Sequence, residues 1–477
     1  MTSIRKSGKL RGNEHVVLLC NKKTSLGGTG LSEKEIAFVR TQFDKHEKQV
    51  AVVNQLGRVV IVQIVESKKQ RYLTNEQWRR AGAGLVSYCN EYRIEQITVA
   101  DMLGDAEAAL AFTEGLALGN YQFLKYKKQA DKERNPLHTI LVSSRKVKDK
   151  DLEHLQIVEE AVSRTRNLVN EPVSFLNAVQ LAKEFEKMGR EAGFRVEVLH
   201  KSRIEALKMG GLLAVNRGSV DPPTFTIMEW KPQRAKNKKP LVLVGKGVVY
   251  DTGGLSLKPT PGSMDLMKCD MAGSAAVAGA MYAIAKAKLP FHVIGLVPAT
   301  DNRPGGNAYA PGDVITMMSG LTVEMLNSDA EGRMILADAL HYAKRFGPEL
   351  VLEFSTLTGA AMAAVGSHGI VCMGTADNRV RNKLKESGNN VYERLAEFPF
   401  WDEYDELIKS DLAEIKNIGG PQGGAITAGK FLARFTDYPF MHFDIAGPAF
   451  LTARESWRGK GGTGVGVRLV FDYLKRK

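Results

Sequence analysis

Apolar and polar positions along this chain change period repeatedly, and the changes mark its elements. Within residues 1–150, apolar runs short enough for strands fall at Val16–Cys20, Gln49–Val53, Val59–Val65, Gln96–Ala100 and Thr139–Ser143. Between them, apolar residues recur at helical spacing over Glu33–Phe43, Glu76–Tyr92 and Asp105–Tyr121. The polar run Arg145–Asp151 closes this part. Helical spacing then resumes from Leu152 to Leu168, until Asn170-Glu171-Pro172 stops it. Another helix is predicted within Ser174–Met188. Beyond it, strand-like runs at Phe194–Leu199, Phe225–Trp230, Leu241–Val244, His292–Val297, Leu350–Phe354 and Met441–Ile445 alternate with helical stretches. One of these, Ala272–Ala287, is rich enough in Ala and Gly to pack closely on a sheet. The pattern predicts an α/β protein in three parts. A small N-terminal α/β domain spans 1–150 and a linker helix 151–172. A larger C-terminal domain, 173–477, carries a mixed, largely parallel sheet flanked by helices. Ligands of such sheets gather beyond the carboxyl ends of the strands.

Against this background the stretch Asn327-Ser328-Asp329-Ala330-Glu331-Gly332-Arg333 stands out. In an extended segment the side-chain period is two, so Asp329, Glu331 and Arg333 are expected on one side. Ile335, Leu336, Ala339, Leu340 and Ala343 then follow at helical intervals, which predicts a charged loop feeding a buried helix. Charges so near a core are costly unless something binds there. A cation on the acids and an anion on the arginine meet that need. Earlier, the apolar run Leu241–Val244 leads into Gly245-Lys246-Gly247-Val248-Val249-Tyr250-Asp251-Thr252-Gly253-Gly254, then Lys258 and Met267-Lys268-Cys269-Asp270. The glycines allow a tight turn at the strand's end that gathers side chains around one point. Together the stretches supply Lys246, Asp251, Asp270, Asp329 and Glu331, with Lys258 and Arg333 nearby. Taken singly, each acid reads as a helix cap or ion-pair partner. Four carboxylates gathered together suit two hard or borderline divalent ions sharing oxygens.

With 477 residues, 44% apolar and 25% charged, the chain has ample material for two or more domains. Its formal charge of +13 could attract nucleic acid or anionic surfaces. The basic clusters Lys125–Arg134 and Lys231–Lys239 nevertheless lack the interleaved aromatics of a single-strand groove, and a well-solvated surface accounts for them. The four cysteines, Cys20, Cys89, Cys269 and Cys372, show no CxxC spacing and suit reduced thiols. The basic start (Arg5, Lys6, Lys9, Arg11) is followed by no apolar signal region. No run approaches the about eighteen apolar residues of a membrane span. A cytoplasmic location without membrane contact is the expectation.

The ordered motifs resemble those of the leucyl aminopeptidases, the two-metal cytosolic family, whose signature usually has Thr where Ser328 stands. Besides 327–333, the resemblance is carried by 245–254, 267–273, Asn302–Ala308, Thr356–Ala360 and Gly423–Gly429. Order and spacing hold from about residue 160 onward, and the match is weaker before it. The resemblance implies a metal-dependent aminopeptidase removing Leu and other apolar N-terminal residues from peptides with a free N-terminus. By it, Asp251 and Glu331 touch both ions, Asp329 holds one, and Lys246 and Asp270 hold the other. The ions are Zn²⁺ or Mn²⁺, with Mg²⁺ admitted at the more exchangeable position. Lys258 stabilises the oxyanion formed when a metal-bridging hydroxide attacks. Arg333 binds bicarbonate, the general base. Met267, Thr356, Gly359 and Ala446 line the pocket for the first side chain, and the Leu357 carbonyl meets the free amine. Ala449, standing where some members have methionine, implies a roomier pocket. A homohexamer of two trimers, with sites facing an internal cavity, is implied as well.

Two other readings stand beside this one. Some relatives bind DNA as architectural or regulatory proteins, and the same site could run a Cys-Gly dipeptidase. Gly424–Lys430 imitates a P-loop, but Phe431 replaces the Ser or Thr that would bind Mg²⁺. The nine histidines lack HExxH spacing, which excludes the zincin mechanism.

Overall fold

Two large sheets organise the computed structural model of the chain, which describes residues 2–8 and 12–477. Lys9 and Arg11, two of the basic residues near the start, lie outside the described residues. The chain divides into two compact units. One comprises residues up to Ser163 together with Ala453–Gly459, and the other comprises Arg164–Thr452 and Lys460–Lys477.

In the first unit the strands are β1 (Ser3–Lys6), β2 (Val16–Cys20), β3 (Val50–Asn54), β4 (Val59–Ile64), β5 (Gln96–Asp101) and β6 (Thr139–Ser143). They form one sheet in the order β1-β6-β5-β2-β4-β3, parallel except for β3 against β4. Every residue of β2 is buried, as a continuous apolar run in a parallel sheet should be. The helices are α1 (Glu33–Asp44), α2 (Arg71–Glu91), α3 (Ala106–Gly119) and the short α4 (Ala130–Glu133). Ser32 and Glu35 close a capping box on α1. Helices α2 and α3 approach so closely that a Cβ on Gly115 would lie 1.8 Å from the Arg79 carbonyl oxygen. Only glycine fits there. Strand β1, with charged and polar residues and no period, had no signal in the sequence.

Helix α5 (Asp149–Asn170) leads from one unit's residues to the other's. The second unit continues with α6 (Ala178–Ala192), β7 (Arg195–Leu199), α7 (Lys201–Ala206), α8 (Gly210–Asn216), β8 (Thr224–Trp230), β9 (Leu241–Gly245) and β10 (Gly247–Asp251). After these come α9 (Ala272–Lys286), β11 (Val293–Asn302), β12 (Asp313–Thr316), β13 (Thr322–Met325), α10 (Glu331–Ala343), β14 (Leu350–Ser355) and α11 (Gly359–Val365). The last part holds β15 (Ile370–Gly374), α12 (Asn378–Asn390), β16 (Leu395–Glu397), α13 (Glu403–Glu406), β17 (Ile415–Lys416), α14 (Gly424–Ala433) and β18 (Phe440–Asp444). The hairpin β19 (Phe450–Glu455) and β20 (Gly459–Gly462) and helix α15 (Val467–Arg476) end the chain.

The main sheet runs β16-β15-β18-β14-β9-β11-β8-β7, with β10 paired to β11. It is mixed and mostly parallel. The antiparallel pairs are β7 with β8, β8 with β11, and β15 with β18. Helix α9 is buried along its length, and a Cβ on Gly273 would lie 2.0 Å from the Phe354 carbonyl oxygen. The apolar core beneath α8, α10 and α14 includes Val242, Val244, Ile335, Leu336, Leu340, Val351 and Phe440. Among the described residues no helix is long and apolar enough to cross a membrane.

Two local expectations are corrected. Residues 247–251 are not a glycine turn but strand β10, because Gly247, Val248 and Asp251 find register partners on β11. The reversal comes later, at Gly253 and Gly254, whose φ values of +85° and +62° suit glycine. Nor is 329–333 extended. Asp329 lies in a turn, and α10 already begins at Glu331, where an acidic side chain is favoured by the helix dipole.

Candidate active site

Five neighbouring parallel strands, β10, β11, β9, β14 and β18, end on one side of the sheet. Lys246 follows β9, Asp251 ends β10, Asn302 ends β11, Thr356 follows β14 and Asp444 ends β18. A turn and the start of α10 bring in Asp329 and Glu331. Asp251, Asp329 and Glu331 each offer a carboxylate oxygen, and these atoms lie within 4.8 Å of one another. Lys246 Nζ stands 2.8 Å from Asp270 Oδ2 and 2.8 Å from Glu331 Oε1. Lys258 Nζ lies 3.0 Å from Asp251 Oδ2 and also pairs with Asp329 Oδ1. The five ligands expected from the sequence, with Lys258, thus form one cluster. Gly332 makes room for it, since a Cβ there would lie 2.6 Å from Lys246 Cε.

The cluster carries more acid than its cations offset. Glu331 is 1% exposed, and its Oε2 has no hydrogen-bond partner among the described residues. Burial first, then Asp251, push the Glu331 carboxyl up to about 8, against the pull of Lys246. Burial likewise lifts Asp270 to about 6, with Lys246 opposing. Asp329 is raised by burial and by Asp251. Burial disfavours the charged form of Lys246, but Asp270, Glu331 and Asp251 outweigh it and hold the ammonium above its ordinary value. A dication on the same oxygens would reverse that balance and leave the amine free to ligate. The donor set, carboxylate oxygens plus one amine, fits hard or borderline divalent cations.

Arg333 makes no ion pair among the described residues, although Glu331 and Asp444 lie near enough to act on its charge. Its Nη1 donates to the Asn417 carbonyl at 2.7 Å, while its buried Nε has no partner among the described residues. Burial lowers its guanidinium to about 10, still charged at neutral pH. A buried unpaired donor beside a carboxylate cluster suits a small anion.

Of the expected pocket residues, Thr356 and Met267 contact the cluster through Asp270, whereas Leu357 and Ala446 meet at Asp444. Thr356 Oγ1 donates to Asp270 Oδ1 at 2.6 Å, and the Thr356 carbonyl accepts from Lys246 Nζ at 3.1 Å. Leu357 follows, half-buried, and Gly359 opens α11 exposed to solvent. Met267 is half-buried in a 3₁₀ turn, where its carbonyl accepts the Asp270 N–H. Ala446 is half-buried just beyond β18, and its N–H donates to Asp444. Lys430, the lysine of the P-loop lookalike, turns instead to Asp405 Oδ2 at 2.8 Å and Asp402 Oδ1 at 3.2 Å.

Several supporting residues escaped the sequence reading. Asn302, wholly buried, donates through Nδ2 to Asp251 Oδ1 at 2.8 Å and to the Ser328 carbonyl at 2.9 Å. Asn417 accepts from Leu326 N–H and donates to the Asn327 carbonyl, pinning the loop before Asp329. Ser328 Oγ donates to the Gly253 carbonyl at 2.6 Å, tying the two acidic stretches together. Asp444 binds both pocket segments. The available signal was position: Asn302 and Asp444 are polar residues that each end a buried strand.

Comparison with known proteins shows the family of the chain. Residues 163–471 match the profile of the cytosol aminopeptidase family, catalytic domain, and residues 39–130 match that family's N-terminal domain. A probable cytosol aminopeptidase of Chlorobaculum tepidum is 46% identical over 383 residues, covering 77% of this chain and 75% of that protein. Another, from Geobacter sulfurreducens, is 41% identical over 437 residues, covering 90% and 88%. Among solved structures, the bottromycin maturation enzyme BotP in complex with Mn superposes with a TM-score of 0.86 at 29% identity, over 97% of this chain and 99% of that one. A mutant tomato leucine aminopeptidase shares the fold, with a TM-score of 0.87 at 24% identity over 100% and 97%.

Proposed function

This chain belongs to the cytosol aminopeptidase family and is a metallo-aminopeptidase; on that premise we propose that it removes Leu and other apolar residues from the N-termini of peptides. Lys246, Asp251, Asp270, Asp329 and Glu331 hold two divalent ions, Zn²⁺ or Mn²⁺, with Mg²⁺ accepted at the more exchangeable position. One observation carries this reading: the carboxylates exceed the ammonium groups, and Glu331 Oε2 is buried without a partner among the described residues. When bound, the ions supply Lewis acidity toward the attacking water and the scissile carbonyl, and a bicarbonate at Arg333 supplies a general base.

The chain's own residues do the rest. Burial weakens the charge on Lys258, but Asp251, Glu331 and Asp329 outweigh it and keep the ammonium above its ordinary value. In the metal-free site Lys258 is thus held as a cation, placed beside Asp251 and Asp329 to stabilise the developing oxyanion. Arg333 offers its free Nε–H to the bicarbonate and orients it. Met267, Thr356, Gly359 and Ala446 border the first side chain, and the Leu357 carbonyl accepts from the free amine. Residues 1–150 serve as scaffold and oligomer contact in a cytoplasmic homohexamer, a dimer of trimers.

The test is hydrolysis of leucine p-nitroanilide by metal-stripped protein, with Mn²⁺ or Zn²⁺ then restored, beside Asp329→Ala. Activity that returns with metal and stays absent in the variant is the expected result. Inactivity with every ion and every aminoacyl substrate would overturn the proposal.

A further inference from the structure

Asp444 ends a strand whose other residues, Phe440 to Phe443, are all buried, and it is itself 1% exposed. Three donors converge on it. Its Oδ1 accepts Leu357 N–H at 3.1 Å and Ala446 N–H at 3.1 Å, and its Oδ2 accepts the Thr358 hydroxyl at 2.7 Å. The Thr358 hydroxyl is fixed in that sense, because its oxygen accepts Ala361 N–H at 3.0 Å at the start of α11. One carboxylate therefore joins the segment after β14 to the segment after β18. The peptide between Thr356 and Leu357 is gripped at both ends. Its carbonyl accepts from Lys246, and its N–H goes to Asp444.

We propose that Asp444 is a positioning residue for the aminopeptidase reaction, holding Leu357 and Ala446 at the separation that admits the substrate's amine and first side chain. This rests on the function proposed above. The reach of the argument is geometric: a carbonyl that receives an amine must be aimed, and the preceding peptide plane aims it. The backbone N–H groups can only donate, so the position calls for an acceptor with two oxygens in a fixed plane.

The sheet beneath supports the charge. His442, two residues earlier on the same face of β18, pairs through Nδ1 with Glu353 Oε2, its register partner on β14. Both are wholly buried. Burial raises the Asp444 carboxyl from its ordinary value, while His442, Thr358 and the two N–H groups act against that rise.

Asp444→Ala and Asp444→Asn, loaded with Mn²⁺, are compared with wild type for binding of L-leucine hydroxamate and of acetohydroxamate by calorimetry. Both probes chelate a dication, but only the first carries an amine and a side chain. Asp444→Ala is expected to weaken L-leucine hydroxamate about tenfold or more and leave acetohydroxamate within about twofold. KM for leucine p-nitroanilide should rise in step. Asp444→Asn keeps one acceptor oxygen and should lose about threefold, so it decides the matter if the alanine variant does not fold. Unchanged L-leucine hydroxamate binding in either folded variant, or equal loss of both probes, overturns the inference. Wild type that hydrolyses the p-nitroanilide while the variants match it overturns this inference alone; wild type that neither hydrolyses it nor binds L-leucine hydroxamate overturns both.

Discussion

Each unit of the chain buries a cluster of ionic side chains, and the two clusters behave differently. In the N-terminal unit, Arg79 is 4% exposed and its Nη1 and Nε meet Glu76 Oε2 at 2.8 Å and Glu114 Oε2 at 2.6 Å. Arg80 and the Trp457 indole N–H both reach Glu76 Oε1. Two acids there face two guanidinium groups. In the catalytic unit, Asp251, Asp270, Asp329 and Glu331 have, among the described residues, two cationic partners, Lys246 and Lys258. Burial works against the charge on Arg79, but Glu114 and Glu76 prevail and raise it. Burial and mutual repulsion instead push Glu331 and Asp270 toward neutrality. A matched buried network is a structural device. An unmatched one is a socket for cations.

Substitutions can break that contrast. Glu331→Gln should lower activity on leucine p-nitroanilide by at least about a thousandfold. The metal-free variant should melt no lower than wild type, because removing a carboxyl from a crowd of acids relieves repulsion. A fall in melting temperature would make this cluster structural too. Arg79→Met should do the reverse. The buried contacts of Arg79 with Glu76 and Glu114 are lost, although Arg80 still holds Glu76. That loss destabilises by about 3–5 kcal/mol in urea titration, while kcat per folded molecule stays within about twofold. Lys258→Met separates chemistry from binding. It should cut kcat about a hundredfold with metal content retained, as loss of one oxyanion donor does.

The smallest effect sharpens the contrast through pH. Glu331 near 8 and Asp270 near 6 bind protons in the folded chain that the unfolded chain has already lost above the ordinary carboxylate range. Their contribution to metal-free stability is therefore present at low pH and lost as pH rises through those values. Dications require the same groups ionised. The gain in melting temperature on adding Mn²⁺ should thus grow between about pH 6 and about pH 8.5. A gain independent of pH would show that these carboxyls do not bind the ion.

Much of this was legible beforehand. Strands such as Val16–Cys20 and Leu241–Gly245 declare themselves because both their faces are buried, so every position must be apolar. Helices α1, α6 and α9 follow from apolar spacing and end signals. Strand β10 was hidden, since Gly247 and Asp251 look like turn residues until β11 is beside them. The start of α10 was hidden for a similar reason. Alternating charges at 329–333 satisfy an extended pattern as well as a helix start, and only the neighbours choose between them. Asp444 carried no spacing signal, because Thr358 and Leu357, the partners it ties to its own segment, are 86 and 87 residues away in the chain.

The sequence by itself determined the α/β class, the strands and helices of strong period, and the set of ionisable residues. Those follow from local physics: periodicity, burial preference and side-chain chemistry. Tertiary structure alone decided which of those charges are matched and which are not. Coulomb energy and desolvation depend on distances across strands remote in sequence, and no single segment contains those distances.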